Sequence, residues 1–354
     1  MLVCRRKTRQ IKLGTLTLGN GNPVYIQSMA STHASDIPAG VEQALRMQRV
    51  GCEIFRYAVP DMAAVKIFEA AKTAGVTMPL VADIHFDYRL ALECAYAGAD
   101  KIRINPGNIG GESRVKEVVR ACRARGIPIR IGVNSGSLEK EILARYGSPT
   151  PEALAESALY HAALLEKFDF YDIVISIKAS SPAAMIQANR ILAEKCDYPL
   201  HIGVTEAGST YMGTLKSAVG IGSLLCDGIG DTIRVSLTAD PEKEVEAARA
   251  ILDACGCGRG GVNVVSCPTC GRTNIDLISL VNEFESRKNE IKVQYPVTVA
   301  IMGCAVNGPG EAREADIGVA GGRGEALLFK KGIVVGKLPE KGLIDALIGE
   351  INRL

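Results

Sequence analysis

The segment from Asp100 to Ser135 reads DKIRINPGNIGGESRVKEVVRACRARGIPIRIGVNS. KIRIN and IPIRIG are rich in isoleucine, a β-branched residue that suits a pleated strand. Between them, SRVKEVVRACRARG has helical texture and ends on Gly126, as helix stops often do. The segment is therefore strand, helix, strand, and a helical crossover of this kind joins parallel neighbours. The same texture recurs outward in both directions. Upstream lie PVYIQSM, CEIFRYAV and MPLVADIHF; downstream lie YDIVISIKAS, PLHIGVTEAG and DTIRVSLT. Most recur at roughly thirty-residue intervals, the length of one βα unit. The wider gap before YDIVISIKAS holds KEILARYGSPTPEALAESALYHAALLEKF, which reads as two helices split by a Gly/Pro break. Eight strands alternating with helices over about 250 residues predict a (β/α)8 TIM barrel. The opening QIKLGTLTLGNGNP is expected to form a hairpin ahead of that barrel, with NGN as its turn.

The texture changes at ACGCGRGG, residues 254–261. Beyond it come the apolar strand VNVVS, a CxxC, a helix from about Asn274 to Glu290, and the strand VTVAIMG. The turn NGPGE follows, then ADIGVAG, EALLFKKG, IVVGKL and a last helix, LIDALIGEINRL. The expected organisation is a barrel over 1–254, a linker over 255–261 and a small α+β domain over 262–354.

Composition narrows the function. Of 354 residues, 47% are hydrophobic, enough for a large core, and the formal charge is only +2. A general nucleic-acid binder carries a clear basic excess, and stacking platforms need more aromatics than the 5% found here, with no Trp. No apolar run approaches a membrane span, and MLVCRRKTRQ lacks the apolar core of a signal peptide, so a cytoplasmic location is expected. The eleven cysteines then read as reduced thiols. Six are scattered through apolar or helical segments, whereas five fall between positions 255 and 304.

In a (β/α)8 barrel the functional side chains stand at the C-terminal ends of the strands. Those ends carry Gln27, Arg56, Asp83, His85, Arg103, Asn105, Arg130, Asn134, Lys178, His201, Glu206, Arg234 and Ser236. In IFRYA, KIRIN, PIRIG and TIRVS each Arg is flanked by apolar residues, so strand alternation can bury the neighbours under helices and turn the Arg inward. Arg56, Arg103, Arg130, Arg234 and Lys178 thus converge on one mouth. Asp83 and Glu206 can pair with some of them, but so many like charges together need an anion. Guanidinium forks match phosphate oxygens, which points to a substrate with more than one phosphate, such as a diphosphate. His85 and His201 are either hydrogen-bonded core residues or site residues.

SCPTCGR places Cys267 and Cys270 with two residues between them, and GCAVNGPGE adds Cys304 and Glu311. A CxxC followed by a helix suits a thioredoxin-like pair, but such a pair needs no third cysteine on a glycine-rich turn. A zinc site or an iron–sulfur cluster does. Cys255, Cys257 or Glu311 can supply the fourth ligand. Thiolate softness favours the cysteines, whereas the NGPG turn can bring Glu311 back towards Cys304.

SCPTCGRT followed by GCAVNGPGEA closely resembles the bacterial 4-hydroxy-3-methylbut-2-enyl diphosphate synthases of the non-mevalonate isoprenoid pathway. KIRINPGNIG, IPIRIGVNSGSL, HIGVTEAG and DTIRVSLT look like that family too, so the resemblance covers nearly the whole chain. It implies a [4Fe–4S] cluster on Cys267, Cys270, Cys304 and Glu311. A carboxylate binds iron more weakly than a thiolate, so that ligand can leave one iron open to substrate. The implied substrate is 2-C-methyl-D-erythritol 2,4-cyclodiphosphate, and the implied reaction is reductive ring opening with loss of water. The implied electron donor is flavodoxin or ferredoxin. By motif match, Arg56, Arg103, Arg130, Asn134, Lys178 and Arg234 hold the diphosphate, with Ser236 nearby. Glu206 is the candidate for protonation near the leaving oxygen, and Asn307 is a further candidate beside the cluster. The resemblance also implies a homodimer in which the partner's second domain serves each barrel. Cys255 and Cys257 lie outside the matched motifs. The competing expectations are a non-redox phosphate-binding barrel synthase with structural zinc, and a plain electron carrier, which has no use for a cationic pocket.

Overall fold

The computed structural model describes residues 4–293, 295–305, 310 and 312–354. By its internal contacts the chain divides into two units, Met1–Cys257 and Gly258–Leu354.

The first unit begins with an antiparallel hairpin, β1 (Ile11–Leu13) and β2 (Leu16–Leu18). Its turn is Gly14–Thr15, because Leu13 pairs with Leu16; NGN follows β2 and does not form the turn. The two-residue connection needs a left-handed residue, and Gly14 supplies it at φ +53°. Eight barrel strands follow: β3 (Tyr25–Met29), β4 (Ile54–Ala58), β5 (Leu80–Asp83), β6 (Lys101–Ile104), β7 (Ile129–Asn134), β8 (Ile173–Lys178), β9 (His201–Ile202) and β10 (Thr232–Ile233). Every neighbouring pair is parallel, in the order β8-β7-β6-β5-β4-β3-β10-β9. The parallel bridge Ile175–Leu200 brings β8 to the segment entering β9 and nearly closes the barrel.

Nine helices lie on this framework among the described residues: α1 (Ile37–Arg49), α2 (Ile67–Thr73), α3 (Tyr88–Tyr96), α4 (Glu112–Arg125), α5 (Lys140–Tyr146), α6 (Pro151–Glu166), α7 (Pro182–Lys195), α8 (Thr210–Cys226) and α9 (Pro241–Ala254). The long gap before β8 does hold two of them, α5 and α6, with Gly147 left-handed between them. β9 and β10 are shorter than their sequence segments suggest. Beyond Ile202, Gly203 lies flat against the Arg234 carbonyl, which a Cβ would approach to 2.4 Å.

Alternation sorts the barrel interior by height. Ile11, Leu13 and Leu18 of the hairpin pack against Tyr25, Ile54, Val81 and Val174, the first inward residues of their strands. The hairpin therefore plugs the N-terminal end of the barrel with hydrocarbon. Two residues further along each strand the inward set turns polar: Gln27, Arg56, Asp83 and Ser176.

The second unit is a five-stranded mixed sheet with strands β11 (Val262–Ser266), β12 (Val297–Met302), β13 (Ile317–Gly321), β14 (Glu325–Lys330) and β15 (Ile333–Pro339) in sequence order. The first three are parallel and the last two antiparallel. α10 (Leu277–Ser286) and α11 (Leu343–Ile351) contribute Leu277, Phe284, Leu347 and Ile351 to a core with Val299, Ile301, Ile317 and Val319. α10 starts later than its sequence pattern implies, because the Asp276 carboxylate caps it by accepting from the Ser279 N–H at 3.2 Å. No helix among the described residues is long and apolar enough to cross a membrane.

Candidate active site

The structure turns the five cations into the barrel at different heights: Arg103, Lys178 and Arg234 near the C-terminal ends of their strands, Arg56 midway along β4, and Arg130 second in β7. Arg56 lies on β4, Arg103 on β6, Arg130 on β7, Lys178 at the end of β8, and Arg234 just past β10. Ile102, Ile104, Ile129 and Ile131 are completely buried, so their Arg neighbours take the inward positions. Register sets Arg103 beside Arg130 and Asn134 beside Lys178. Arg56, Arg103, Arg130 and Lys178 are buried, whereas Arg234 is half-buried. One glycine makes the room: a Cβ on Gly132 would lie 2.3 Å from Arg103 Nε.

Two buried carboxylates face this set. Asp83 accepts from Arg103 Nη1 at 2.9 Å, with Arg56 Nε at 3.7 Å and His85 Nε2 at 3.6 Å. Burial alone raises the Asp83 carboxyl, but Arg56, the His85 bond, Arg103 and Arg130 together hold it well below the usual carboxylate range. Glu244 takes Ser28 Oγ at 2.7 Å and Arg234 Nη2 at 3.4 Å. The cations are otherwise poorly matched. Arg56 and Arg234 direct nitrogens at the weakly accepting Met29 sulfur, at 2.7 and 3.5 Å. Arg130 has Gln27 Oε1 at 3.2 Å, while its Nε and that of Arg234 are buried without a partner. Burial and the neighbouring cations lower the Arg56 guanidinium to about 10, with Asp83 opposing, and push Arg130 and Lys178 well below their ordinary values. Five cations against two carboxylates form a site that calls for an anion with several oxygens.

The remaining sequence candidates take different positions. Asn134 and Ser236 are half-buried at the strand ends. Glu206 is exposed, in the loop after β9, with φ +53°, a conformation that costs a non-glycine residue about 1–3 kcal/mol and clusters at functional sites. His201 is fully buried, with Nδ1 2.8 Å from Thr232 Oγ1, while His85 stands exposed beside Asp83. Sequence reasoning missed Glu244, Met29 and Lys101, the last a fully buried cation at the start of β6 whose Nζ lacks a partner and which burial, then the Arg130 and Arg56 charges, push well below its ordinary value. Glu244 had a legible signal, since it sits among Pro241, Val245, Ala248 and Ile251 on the buried face of α9.

The second unit brings its thiols to one edge. β11 and β12 pair in parallel with Ser266 opposite Ile301. Cys267 follows β11 directly and Cys304 lies two residues past β12. The Gly303 N–H donates to Cys267 Sγ at 3.2 Å, and the Gly303 carbonyl accepts from Asn274 N–H at 3.0 Å. A Cβ on Gly303 would come within 2.8 Å of Thr273, so the CxxC loop is clamped onto that glycine. Cys304 is buried and Cys270 exposed. The backbone N–H of Arg272, with the Arg272 and Thr273 side chains, lowers the Cys270 thiol against a small burial effect. Glu311 and Asn307 lie outside the described residues. Among the described residues no three His, Cys, Asp or Glu side chains converge as a single metal ion requires. Three thiols on two clamped loops, one already accepting a backbone N–H, fit a larger thiolate-bound group.

A parallel barrel with a cationic mouth, followed by a mixed-sheet unit with thiols along one strand edge, defines a class of anion-binding barrel proteins with an appended thiol module. Within that class the assignment is specific. The family profile described as "GcpE TIM-barrel domain" matches residues 8–249, and "GcpE protein C-terminal domain" matches residues 263–353. The chain belongs to the GcpE family. It is 56% identical to a protein of Caldanaerobacter subterraneus named 4-hydroxy-3-methylbut-2-en-1-yl diphosphate synthase (flavodoxin), covering 100% of this chain and 99% of that one. A protein of the same name from Caldicellulosiruptor saccharolyticus is 57% identical, covering 98% and 99%. Among solved structures, type I 3-dehydroquinate dehydratase from Clostridium difficile matches with a TM-score of 0.52 at 14% identity, over 70% of this chain and 97% of that one. That likeness concerns the barrel fold alone.

Proposed function

We propose that this chain reductively opens 2-C-methyl-D-erythritol 2,4-cyclodiphosphate to 4-hydroxy-3-methylbut-2-enyl diphosphate, taking electrons from reduced flavodoxin. The reaction consumes two electrons and two protons and releases one water. The observation that carries this reading is the mouth with five cations and two carboxylates, in a chain whose relatives bear the synthase name over their full length. Arg56, Arg103, Arg130, Lys178 and Arg234 hold the two phosphates, with Asn134 and Ser236 beside them. Asp83 keeps Arg103 and Arg56 pointed at the ligand, and Glu244 does the same for Arg234. Glu206 handles the proton at the departing oxygen, from an exposed loop position with a left-handed backbone.

Family membership implies a metal cofactor, and we assign a [4Fe–4S] cluster to Cys267, Cys270, Cys304 and Glu311, within a cluster domain over 262–354 that follows a substrate domain over 1–254. When bound, the cluster supplies single-electron transfer and an iron open to substrate oxygen. The Gly303 N–H to Cys267 stabilises thiolate charge there. A non-redox synthase with structural zinc is disfavoured, because relatives that match this chain over its full length bear the flavodoxin-dependent synthase name. The active assembly is taken to be a homodimer.

The test is anaerobic purification, iron, sulfide and zinc analysis, and turnover of the cyclic diphosphate with dithionite and then flavodoxin. Four irons with matching sulfide and formation of the linear diphosphate are expected. One zinc without sulfide, or no turnover by iron-loaded protein, overturns the reading. Glu311→Ala is expected to lose iron or turnover, while Cys255→Ala keeps both; normal iron and activity in the Glu311 variant removes it as a ligand.

A further inference from the structure

Three thiols in the first unit stand apart from the assignments above: Cys226, Cys255 and Cys257. Cys226 is the last residue of α8, and Cys255 caps the C-terminus of α9. Both helices run back from strand C-terminal ends, so both thiols lie at the barrel face opposite the cationic mouth. Gly222 is one turn before Cys226 and on the same side of α8. Cys255 Sγ lies 3.8 Å from the Gly222 carbonyl oxygen and 3.5 Å from where a Gly222 Cβ would sit. The absent side chain lets Cys255 rest on the turn that carries Cys226, and burial, with the neighbouring Cys226 thiol, pushes the Cys255 thiol up to about 12. Cys257 is buried, with its sulfur 3.7 Å from the Cys255 carbonyl oxygen. Cys226 is exposed, so its thiol is not serving as a packed small hydrophobe.

We propose that Cys226 and Cys255 are a reversible oxidation site, joined by a disulfide when the protein meets hydrogen peroxide. The exposed Cys226 thiolate attacks the O–O bond, giving a sulfenic acid and hydroxide. Cys255 then displaces hydroxide from that sulfur and forms the S–S bond. Two thiols are oxidised and one peroxide becomes two waters; a thioredoxin-class dithiol restores the pair. The bond ties together the ends of α8 and α9. It closes a loop containing β10, Arg234, Ser236 and Glu244 at the face remote from the chemistry.

The experiment treats full-length, cluster-loaded protein with a small excess of peroxide, alkylates the remaining thiols, and maps peptides without reduction. Loss of two free thiols per chain is expected, with tryptic peptide 217–234 crosslinked to 250–259, and both thiols regained on dithiol treatment. Cys226→Ser and Cys255→Ser each abolish the crosslink, and Cys257→Ser retains it. Separate alkylation of Cys226 and Cys255 after peroxide, or a crosslink that survives Cys255→Ser through Cys257, overturns the proposal.

Discussion

Lys178 ends β8 with its ammonium buried among Arg234, Arg56 and Arg130, and burial is the largest influence lowering it, ahead of those charges. A buried cation among like charges opposes folding, so its removal is expected to stabilise the ligand-free protein. Lys178→Met should raise Tm by about 1–2 °C, the shift that roughly 1 kcal/mol brings in a protein of this size. The same substitution should weaken pyrophosphate binding about tenfold, through loss of a charge-assisted contact. Differential scanning fluorimetry with and without pyrophosphate reads both effects. The pH dependence follows from the sign of the shift. Between the depressed folded value and the ordinary lysine value, the unfolded chain binds this proton more readily, so this group makes ligand-free stability rise with pH across that window. Lys178→Met should flatten that rise. The five cations themselves are legible from sequence, because each Arg is flanked by apolar residues in a strand segment and Lys178 ends the apolar strand IVISIK. Their counter-ions are only half legible: Asp83 ends a strand, but Glu244 belongs to a helix whose buried face had to be identified first.

At the scale of elements, β7 shows how a strand accommodates its neighbour's side chain. Gly132 lies between Arg130 and Asn134 on the inward face, and the Arg103 guanidinium from β6 fills the space a side chain would take. Gly132→Ala should drive Arg103 off Asp83 and raise the KM for the cyclic diphosphate about tenfold, with about 1–3 kcal/mol lost from overpacking. Steady-state kinetics and urea unfolding test this together; an unchanged KM would show that Arg103 can move without cost. The hairpin of β1 and β2 acts at the opposite end. Leu13 is completely buried in the barrel floor, and Leu13→Ala should cost about 2–5 kcal/mol in urea unfolding while sparing the mouth residues. The sequence texture located this hairpin but misassigned its turn. NGN is the stronger turn signal by composition, yet pairing is fixed by which leucines reach the barrel floor, a tertiary choice that local propensity does not encode.

At the scale of the molecule, the proposed function divides the work, anion binding to the barrel and thiol ligation to the mixed-sheet unit. The eightfold alternation of strand and helix made the first unit readable, since its period repeats. The second unit has no repeat, and its thiol edge emerges only when β11 and β12 pair in parallel and bring residues 267 and 304 to the same end. The proposed homodimer predicts a sedimentation mass twice that of the chain. Mixing inactive Arg103→Ala chains with inactive Cys304→Ser chains should recover part of the activity; a mixture as inactive as its components would mean that each chain works alone.

The excess of cations over carboxylates in the mouth has a consequence for flux. In the proposed reaction ring opening leaves both phosphates on the molecule, so the cations proposed to capture the ring are expected to hold the product too. Such uniform binding lowers the substrate level required without speeding bond cleavage. The product is then a competitive inhibitor of its own formation, inorganic pyrophosphate competes for the same cations, and steady throughput depends on how quickly the next enzyme draws the linear diphosphate away.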